Sequence, residues 1–105
     1  MYLSINFEEF KELIRKEADK LEIIDVREEN EYRMVRVENS KLIPMGEIMS
    51  NLDKIDWNKK VILICRSGAR SGYVAKILDG LGKKVINMDG GIYSLELDNC
   101  DCLKK

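Results

Sequence analysis

The stretch VILICRSGARSG, from Val61 to Gly72, changes character at Cys65. The apolar, largely β-branched run that ends there predicts a strand covered on both faces. Small, charged and glycine residues follow at once, as in a tight turn. The next segment, Ser71–Gly82, predicts a helix whose apolar residues are Val74, Ile77, Leu78 and Leu81. We therefore expect a strand, a tight loop and a helix in that order, with Cys65 at the junction.

The rest of the chain repeats this alternation. Apolar runs predict strands and helical spacing predicts helices, the first of them with Asn6 as its N-cap. The predicted strands cover residues 21–26, 41–45, 59–65 and 83–88, and the predicted helices cover residues 6–18, 27–35, 46–55, 71–82 and 92–97. Because nearly pure apolar strands are typical of parallel sheets, this order predicts an α/β domain with a mainly parallel sheet between helices. No repeat or linker divides the sequence, so we expect one domain over residues 1–105, with residues 98–105 as a short C-terminal tail.

Composition argues against several functions. The formal net charge of −1 disfavours nucleic acid or a membrane surface as partner, because both usually need a basic excess. The chain has no signal-peptide pattern and no apolar run near the roughly 18 residues of a membrane span, so we expect a cytoplasmic protein. Three cysteines suit free thiols in a reducing compartment. Histidine is absent, which excludes Ser–His and Cys–His catalysis, and we expect neither a metal nor another cofactor.

Cys65 occupies the position where ligands bind in open α/β sheets, beyond the carboxyl end of a strand. The residues after it are small enough for the backbone to curl, so that its N–H groups converge on one point. The start of the next helix adds partial positive charge, and two arginines add full charges. These features predict a lowered pKa and a nucleophilic thiolate at Cys65. The alternative is a buried structural cysteine before an ordinary turn. The candidate loop consists of Arg66, Ser67, Gly68, Ala69, Arg70 and Ser71.

Four motifs occur in order between about Ser4 and Leu97. They are IDVREENEY (24–32), LIPMGEI (42–48), CRSGARS (65–71) and MDGGI (88–92), and in this combination the chain resembles the rhodanese family of sulfurtransferases. The resemblance implies an α/β fold with a mainly parallel five-stranded sheet and helices on both faces. It also implies that Cys65 takes sulfane sulfur from a small anionic donor such as thiosulfate and carries it as a persulfide. Residues 66–71 would hold the persulfide, and cyanide, a thiol or a protein would accept the sulfur.

The resemblance suggests three supporting residues outside the loop. Asp25 and Arg27 follow a predicted strand at the active edge, where the alternative interpretation is a surface ion pair at a strand end. Arg36 lies in the segment VRV (35–37), where family members often carry Gly-His-Ile. An arginine there keeps a positive charge but removes titration near neutral pH. Leu95 also stands near a position that is often aromatic. These departures concern substrate preference more than fold.

Two other functions stay open. Cysteine-dependent phosphatases and arsenate reductases use a similar loop with five residues between cysteine and arginine, whereas this chain has four between Cys65 and Arg70. A shorter loop should be too tight for a tetrahedral phosphate but adequate for a single sulfur. The second alternative is a non-catalytic interaction module of the rhodanese-like kind.

Two further groups of residues carry expectations. The acidic side chains Glu28, Glu29 and Glu31 are expected on a solvated helix face. Cys100 and Cys102 are expected as incidental thiols in a mobile tail, with zinc binding and a redox role in the Cys65 cycle as alternatives.

Overall fold

The centre of the fold is strand β5 (Lys60–Ile64), whose last four residues are buried. The computed structural model describes residues 2–105. β5 pairs in parallel with β2 (Leu21–Asp25) on one side and with β6 (Ile86–Met88) on the other. The edge strands are β1 (Leu3–Ile5) beside β6 and β4 (Lys41–Leu42) beside β2. The result is a five-stranded parallel sheet, as the resemblance implied, and its strand order is β1–β6–β5–β2–β4.

Helices cover both faces of the sheet. They are α1 (Phe7–Glu17), α2 (Glu29–Met34), α3 (Ala69–Gly80) and α4 (Gly91–Leu97). Val74 and Leu78 of α3 pack with Leu63 on one face, while Phe10 of α1 packs with Ile62 on the other. Alternate residues of β5 thus enter opposite apolar clusters, which explains why the whole strand is apolar. None of the helices within residues 2–105 is long and apolar enough to cross a bilayer.

The predicted start of α1 is confirmed in detail. The Asn6 side chain accepts a hydrogen bond of 2.9 Å from the Glu9 N–H, and the Glu9 carboxylate accepts one of 3.0 Å from the Asn6 N–H. This reciprocal pair is a capping box, which satisfies two backbone donors at the helix start.

Other boundaries differ from the prediction. β1 was not predicted, because three residues at a sheet edge leave little periodicity and Leu3 is exposed. The predicted helix at 46–55 consists instead of two 3₁₀ segments, Met45–Glu47 and Met49–Lys54. The helix after the loop begins at Ala69 rather than at the predicted Ser71, and β6 is shorter than the predicted strand at 83–88.

The C-terminal segment is attached to the body and is not a mobile tail. Strand β7 (Leu103–Lys104) pairs antiparallel with β3 (Arg36–Val37). Cys100 and Cys102 form a disulfide and pack against the apolar cluster that contains Phe10, so the expectation of free tail thiols was wrong. The β3–β7 pairing joins residues more than 60 positions apart and leaves no local pattern in the sequence.

Candidate active site

Cys65 directly follows β5 and is 1% exposed. The Gly68 N–H donates a hydrogen bond of 3.1 Å to its Sγ atom, and the Ser71 hydroxyl donates one of 3.4 Å. Ser71 is fully buried, so its hydroxyl faces the cysteine rather than solvent. Among residues 2–105, Cys65 is the free cysteine. The predicted loop therefore wraps around a buried thiol.

The backbone path of the loop depends on glycines and on α4. Gly68 has φ of +96°, a left-handed conformation that turns the chain into α3. The Ile92 and Tyr93 N–H groups, in the first turn of α4, each donate a hydrogen bond of 2.9 Å, the first to the Cys65 carbonyl and the second to that of Arg66. These bonds hold the loop carbonyls on the α4 side and leave its N–H groups free to face the sulfur.

Gly91 permits this close contact. It has φ of +56°, and a Cβ atom there would lie 2.3 Å from the Cys65 carbonyl oxygen. A side chain at position 91 would collide with the backbone of the loop. In the sequence, Gly91 is part of the motif MDGGI (88–92). Its packing against Cys65 follows only from the tertiary structure.

Two opposing effects act on the Cys65 thiol. Burial favours the neutral form and by itself would raise the pKa. The Ser71 hydroxyl and the N–H groups of Ser71, Ser67 and Gly68 stabilise the thiolate more strongly, and the net pKa of Cys65 lies below its ordinary value. The direction of the shift agrees with the prediction, and its main causes are the converging loop N–H groups and the Ser71 hydroxyl. Arg70 also interacts with the charge of Cys65.

Arg70 forms a bidentate ion pair with Glu31 of α2. The two nitrogen–oxygen distances are 2.7 and 2.9 Å. Hydrogen bonding to Arg70 lowers the pKa of Glu31 to about 2. The same bond raises the pKa of Arg70, and the charges of Cys65 and Asp25 add smaller effects. Glu31 was expected on a solvated face, and this was wrong because its partner lies 39 residues away in the sequence.

Arg66 has different surroundings. Its side chain is 53% exposed and lies 3.7 Å from the Glu96 carboxylate. Its guanidinium also lies 5.6 Å from the ring centroid of Tyr93, a cation–π distance. Ser67 and Ala69 are exposed as well, so the outer side of the loop faces solvent.

Asp25, the last residue of β2, forms a buried ion pair with Arg27. Asp25 is fully buried and Arg27 is 1% exposed, so the alternative of a surface ion pair is wrong. The Arg27 guanidinium donates to both Asp25 carboxylate oxygens and to the Val35 carbonyl, the last at 2.5 Å. In the sheet Asp25 pairs with Ile64, the residue that precedes Cys65.

Arg36 takes no part in these contacts. It lies in β3, with its guanidinium 5.4 Å from the ring centroid of Tyr32. Asn87, which the sequence analysis did not identify, does reach the loop. Its amide donates hydrogen bonds to the Gly68 carbonyl at 3.4 Å and to Asp89 at 3.0 Å. In the sequence, the signal that could have identified Asn87 is a polar residue within the otherwise apolar strand β6.

Fold and site together define a class of protein: a parallel α/β domain with a buried cysteine held by a loop at the carboxyl edge of the sheet. The model of the Rhodanese-like domain family matches residues 6–97, and the chain belongs to this family. It is 41% identical over 81 residues to the putative sulfurtransferase YtwF of Bacillus subtilis, covering 76% of this chain and 79% of that protein.

Two further comparisons agree with this assignment. The thiosulfate sulfurtransferase GlpE of Coxiella burnetii is 32% identical over 92 residues, or 87% of this chain and 84% of that one. The crystal structure of a rhodanese-related protein from Thermoplasma volcanium matches with a TM-score of 0.85 at 29% identity, covering 98% of each chain. The resemblance seen in the sequence motifs is confirmed at the level of family and fold.

Proposed function

We propose that this protein is a sulfurtransferase in which Cys65 carries sulfane sulfur as a persulfide. A small anionic donor such as thiosulfate supplies the sulfur, and a thiol, a protein or cyanide accepts it. The main supporting observation is the buried Cys65 sulfur that receives hydrogen bonds from the Gly68 N–H and the Ser71 hydroxyl. The similarity to proteins named sulfurtransferases supports the same reaction class.

The loop suits both steps of this reaction. In the first, the Cys65 thiolate attacks the outer sulfur of thiosulfate, the sulfur–sulfur bond breaks, and its electron pair leaves with sulfite. In the second, the acceptor thiolate attacks the outer sulfur of the persulfide, and Cys65 departs as a thiolate. Negative charge develops on sulfur in both steps, so fixed N–H and O–H donors stabilise them without a general base.

The contacts of Arg70 disfavour the phosphatase alternative. A phosphate-binding loop would use the guanidinium to hold phosphate oxygens, but both terminal nitrogens of Arg70 are bonded to Glu31. The four-residue spacing between Cys65 and Arg70 argues in the same direction. Retention of a free cysteine with a complete set of donors disfavours a purely non-catalytic module. We place the reaction in the cytoplasm, where thiol acceptors stay reduced.

The test measures thiocyanate formed from thiosulfate and cyanide. Cys65→Ser is expected to abolish turnover, because a serine hydroxyl cannot form the persulfide. Mass spectrometry of the parent after exposure to thiosulfate should show one added sulfur, on the peptide that contains Cys65.

Cys102→Ser is the matched control, because it makes the same substitution away from the loop and should leave turnover unchanged. Undiminished turnover in Cys65→Ser would contradict the proposal. A parent protein that hydrolyses para-nitrophenyl phosphate but transfers no sulfur would support the phosphatase, and one that does neither would support an interaction module.

A further inference from the structure

The disulfide Cys100–Cys102 lies away from the Cys65 loop. The loop is bonded to the first turn of α4, whereas Cys100 follows the other end of that helix. A helix of seven residues is about 10 Å long, so the sulfur atoms belong to separate sites. We propose that Cys100–Cys102 is a second reactive site, a thiol–disulfide exchange centre whose substrates are dithiols.

The bond contributes little as a structural crosslink. It joins residues two positions apart, and disulfides stabilise folded proteins less as the closed loop shortens. Backbone hydrogen bonds already anchor the segment: the Cys100 N–H donates to the Leu95 carbonyl at 3.0 Å and the Glu38 N–H donates to the Cys102 carbonyl at 2.8 Å. Together with the β3–β7 pairing, these bonds keep the segment in place when the disulfide is reduced.

A substrate can reach the bond. Both cysteines are partly exposed, and they line a surface groove of about 570 Å³ beside α1. Ile14 provides an apolar wall, and the charged side chains of the groove are of both signs: Glu8, Lys11, Glu12, Arg15 and Asp101. The ion pair of 2.6 Å between Lys11 and Asp98 ties α1 to the segment that carries the disulfide. The groove therefore gives an incoming dithiol room to reach the bond.

The two sulfur atoms are not equivalent. Cys100 Sγ accepts a hydrogen bond of 3.2 Å from the Cys102 N–H. This donor stabilises negative charge on Cys100, which makes it the better leaving group. We therefore assign Cys102 as the sulfur that is attacked.

The reaction is a two-electron exchange. One thiolate of the dithiol attacks Cys102 Sγ, the Cys100–Cys102 bond breaks, and its electron pair goes to Cys100, which takes a proton from solvent. The second thiolate of the substrate then attacks the mixed disulfide and releases Cys102, which is also protonated. The dithiol is oxidised to a disulfide, and the cysteine pair is reduced to two thiols.

The experiment uses Cys65→Ser, in which the pair is the remaining source of thiols. The folded protein is equilibrated with reduced and oxidised glutathione over a wide range of ratios, alkylated, and weighed by mass spectrometry. Within this range we expect the number of alkylated thiols to change reversibly between zero and two, with unchanged circular dichroism. With dithiothreitol as the dithiol substrate, we expect each protein molecule to oxidise one molecule of it. Structural disulfides resist reduction by glutathione. A pair that stays oxidised at every ratio, or never oxidises, overturns the proposal.

Single variants in the same background test the assignment of the two sulfurs. The variant Cys102→Ser leaves Cys100 free, and Cys100→Ser leaves Cys102 free. At neutral pH the free Cys100 should react faster with iodoacetamide than the free Cys102, because the Cys100 sulfur accepts a hydrogen bond from the backbone N–H of residue 102. Equal rates, or a faster Cys102, would contradict that assignment.

Discussion

At the residue scale, Cys65 shows how a thiolate can be stabilised without histidine. Arg66 lies over Tyr93 and Arg70 is paired with Glu31, so both arginines have partners other than the sulfur. The donors that contact Sγ, the Gly68 N–H and the Ser71 hydroxyl, belong to the loop itself. This arrangement costs no side-chain reorganisation when charge moves between Cys65 and a bound sulfur.

The Ser71 hydroxyl is the one side-chain donor bonded to Cys65 within residues 2–105. Ser71→Ala removes it while burial continues to favour the neutral thiol, so the pKa of Cys65 should rise. A hydrogen bond to a charged group contributes about 1.5 kcal/mol, or about tenfold in an equilibrium. We expect alkylation of Cys65 at neutral pH to slow by up to about tenfold and its pH profile to move to higher pH. Ser67→Ala is the control, because that exposed residue contributes only its backbone N–H; equal profiles for the two variants would contradict the role of the hydroxyl.

Arg66 and Arg70 should differ in kinetic effect. Exposed charges contribute about 1 kcal/mol or less, so Arg66→Ala should raise KM for thiosulfate by about fivefold or less and leave kcat unchanged. Arg70→Ala should also lower kcat, because the charge of Cys65 acts directly on Arg70. Steady-state kinetics at constant ionic strength measure both effects. Arg70→Lys is the control that retains the charge, and purely KM effects from both alanine variants would contradict this division.

At the element scale, ion pairs connect helices that are distant in the sequence. Glu31 also accepts a hydrogen bond from the Glu28 N–H, which closes a capping box at the start of α2. The same carboxylate therefore caps the start of α2 and binds Arg70 of α3. Through this residue the position of α2 is coupled to the helix that begins at the cysteine loop.

The pH dependence of stability should report this pair. The pKa of Glu31 is lowered from 4.5 to about 2 in the folded protein. A carboxyl group with a lowered folded pKa stabilises the protein above its unfolded pKa, and the contribution is lost as the pH falls through the folded value. Between pH 5 and pH 2 the parent should lose about 1–2 kcal/mol more of its free energy of unfolding than Glu31→Gln.

Urea unfolding across this pH range measures the difference. Glu12 has a similarly low pKa through Arg15 and Lys16, but it titrates in both proteins and cancels in the comparison. Parallel stability curves for the parent and Glu31→Gln would show that the pair contributes nothing.

At the scale of the whole molecule, the site forms where the carboxyl ends of three neighbouring strands meet. Asp25 ends β2, Cys65 follows β5, and Asn87 of β6 donates to the Gly68 carbonyl. The first turn of α4 then binds the loop from the side of β6. The ends of β2 and β5, Asn87 of β6 and the first turn of α4 thereby meet at the cysteine loop.

Gly91 tests this arrangement. Gly91→Ala puts a Cβ atom against the Cys65 and Arg66 carbonyls at a positive φ, and we expect a loss of about 2 kcal/mol or more in the free energy of unfolding. Sulfur transfer should fall with it, because the loop must move. Gly80→Ala is the control: its Cβ meets nothing within 4 Å, and alanine in a helix should stabilise by up to about 1 kcal/mol. Thermal unfolding and thiosulfate turnover measure both variants, and a Gly91→Ala protein as stable and active as the parent would contradict the close packing.

The central strands, the main helices and the position of the candidate cysteine could be predicted from the sequence. Burial on both faces makes β5 apolar throughout, capping residues mark the start of α1, and the composition of the loop marks Cys65, all through interactions within a few residues. Tertiary structure alone decided that Glu31 meets Arg70, that Ile92 and Tyr93 bind the loop carbonyls, and that Leu103 pairs beside Val37. Those contacts join residues about 25 to 65 positions apart, and each requires the complete sheet to bring its partners together, so no local pattern records them.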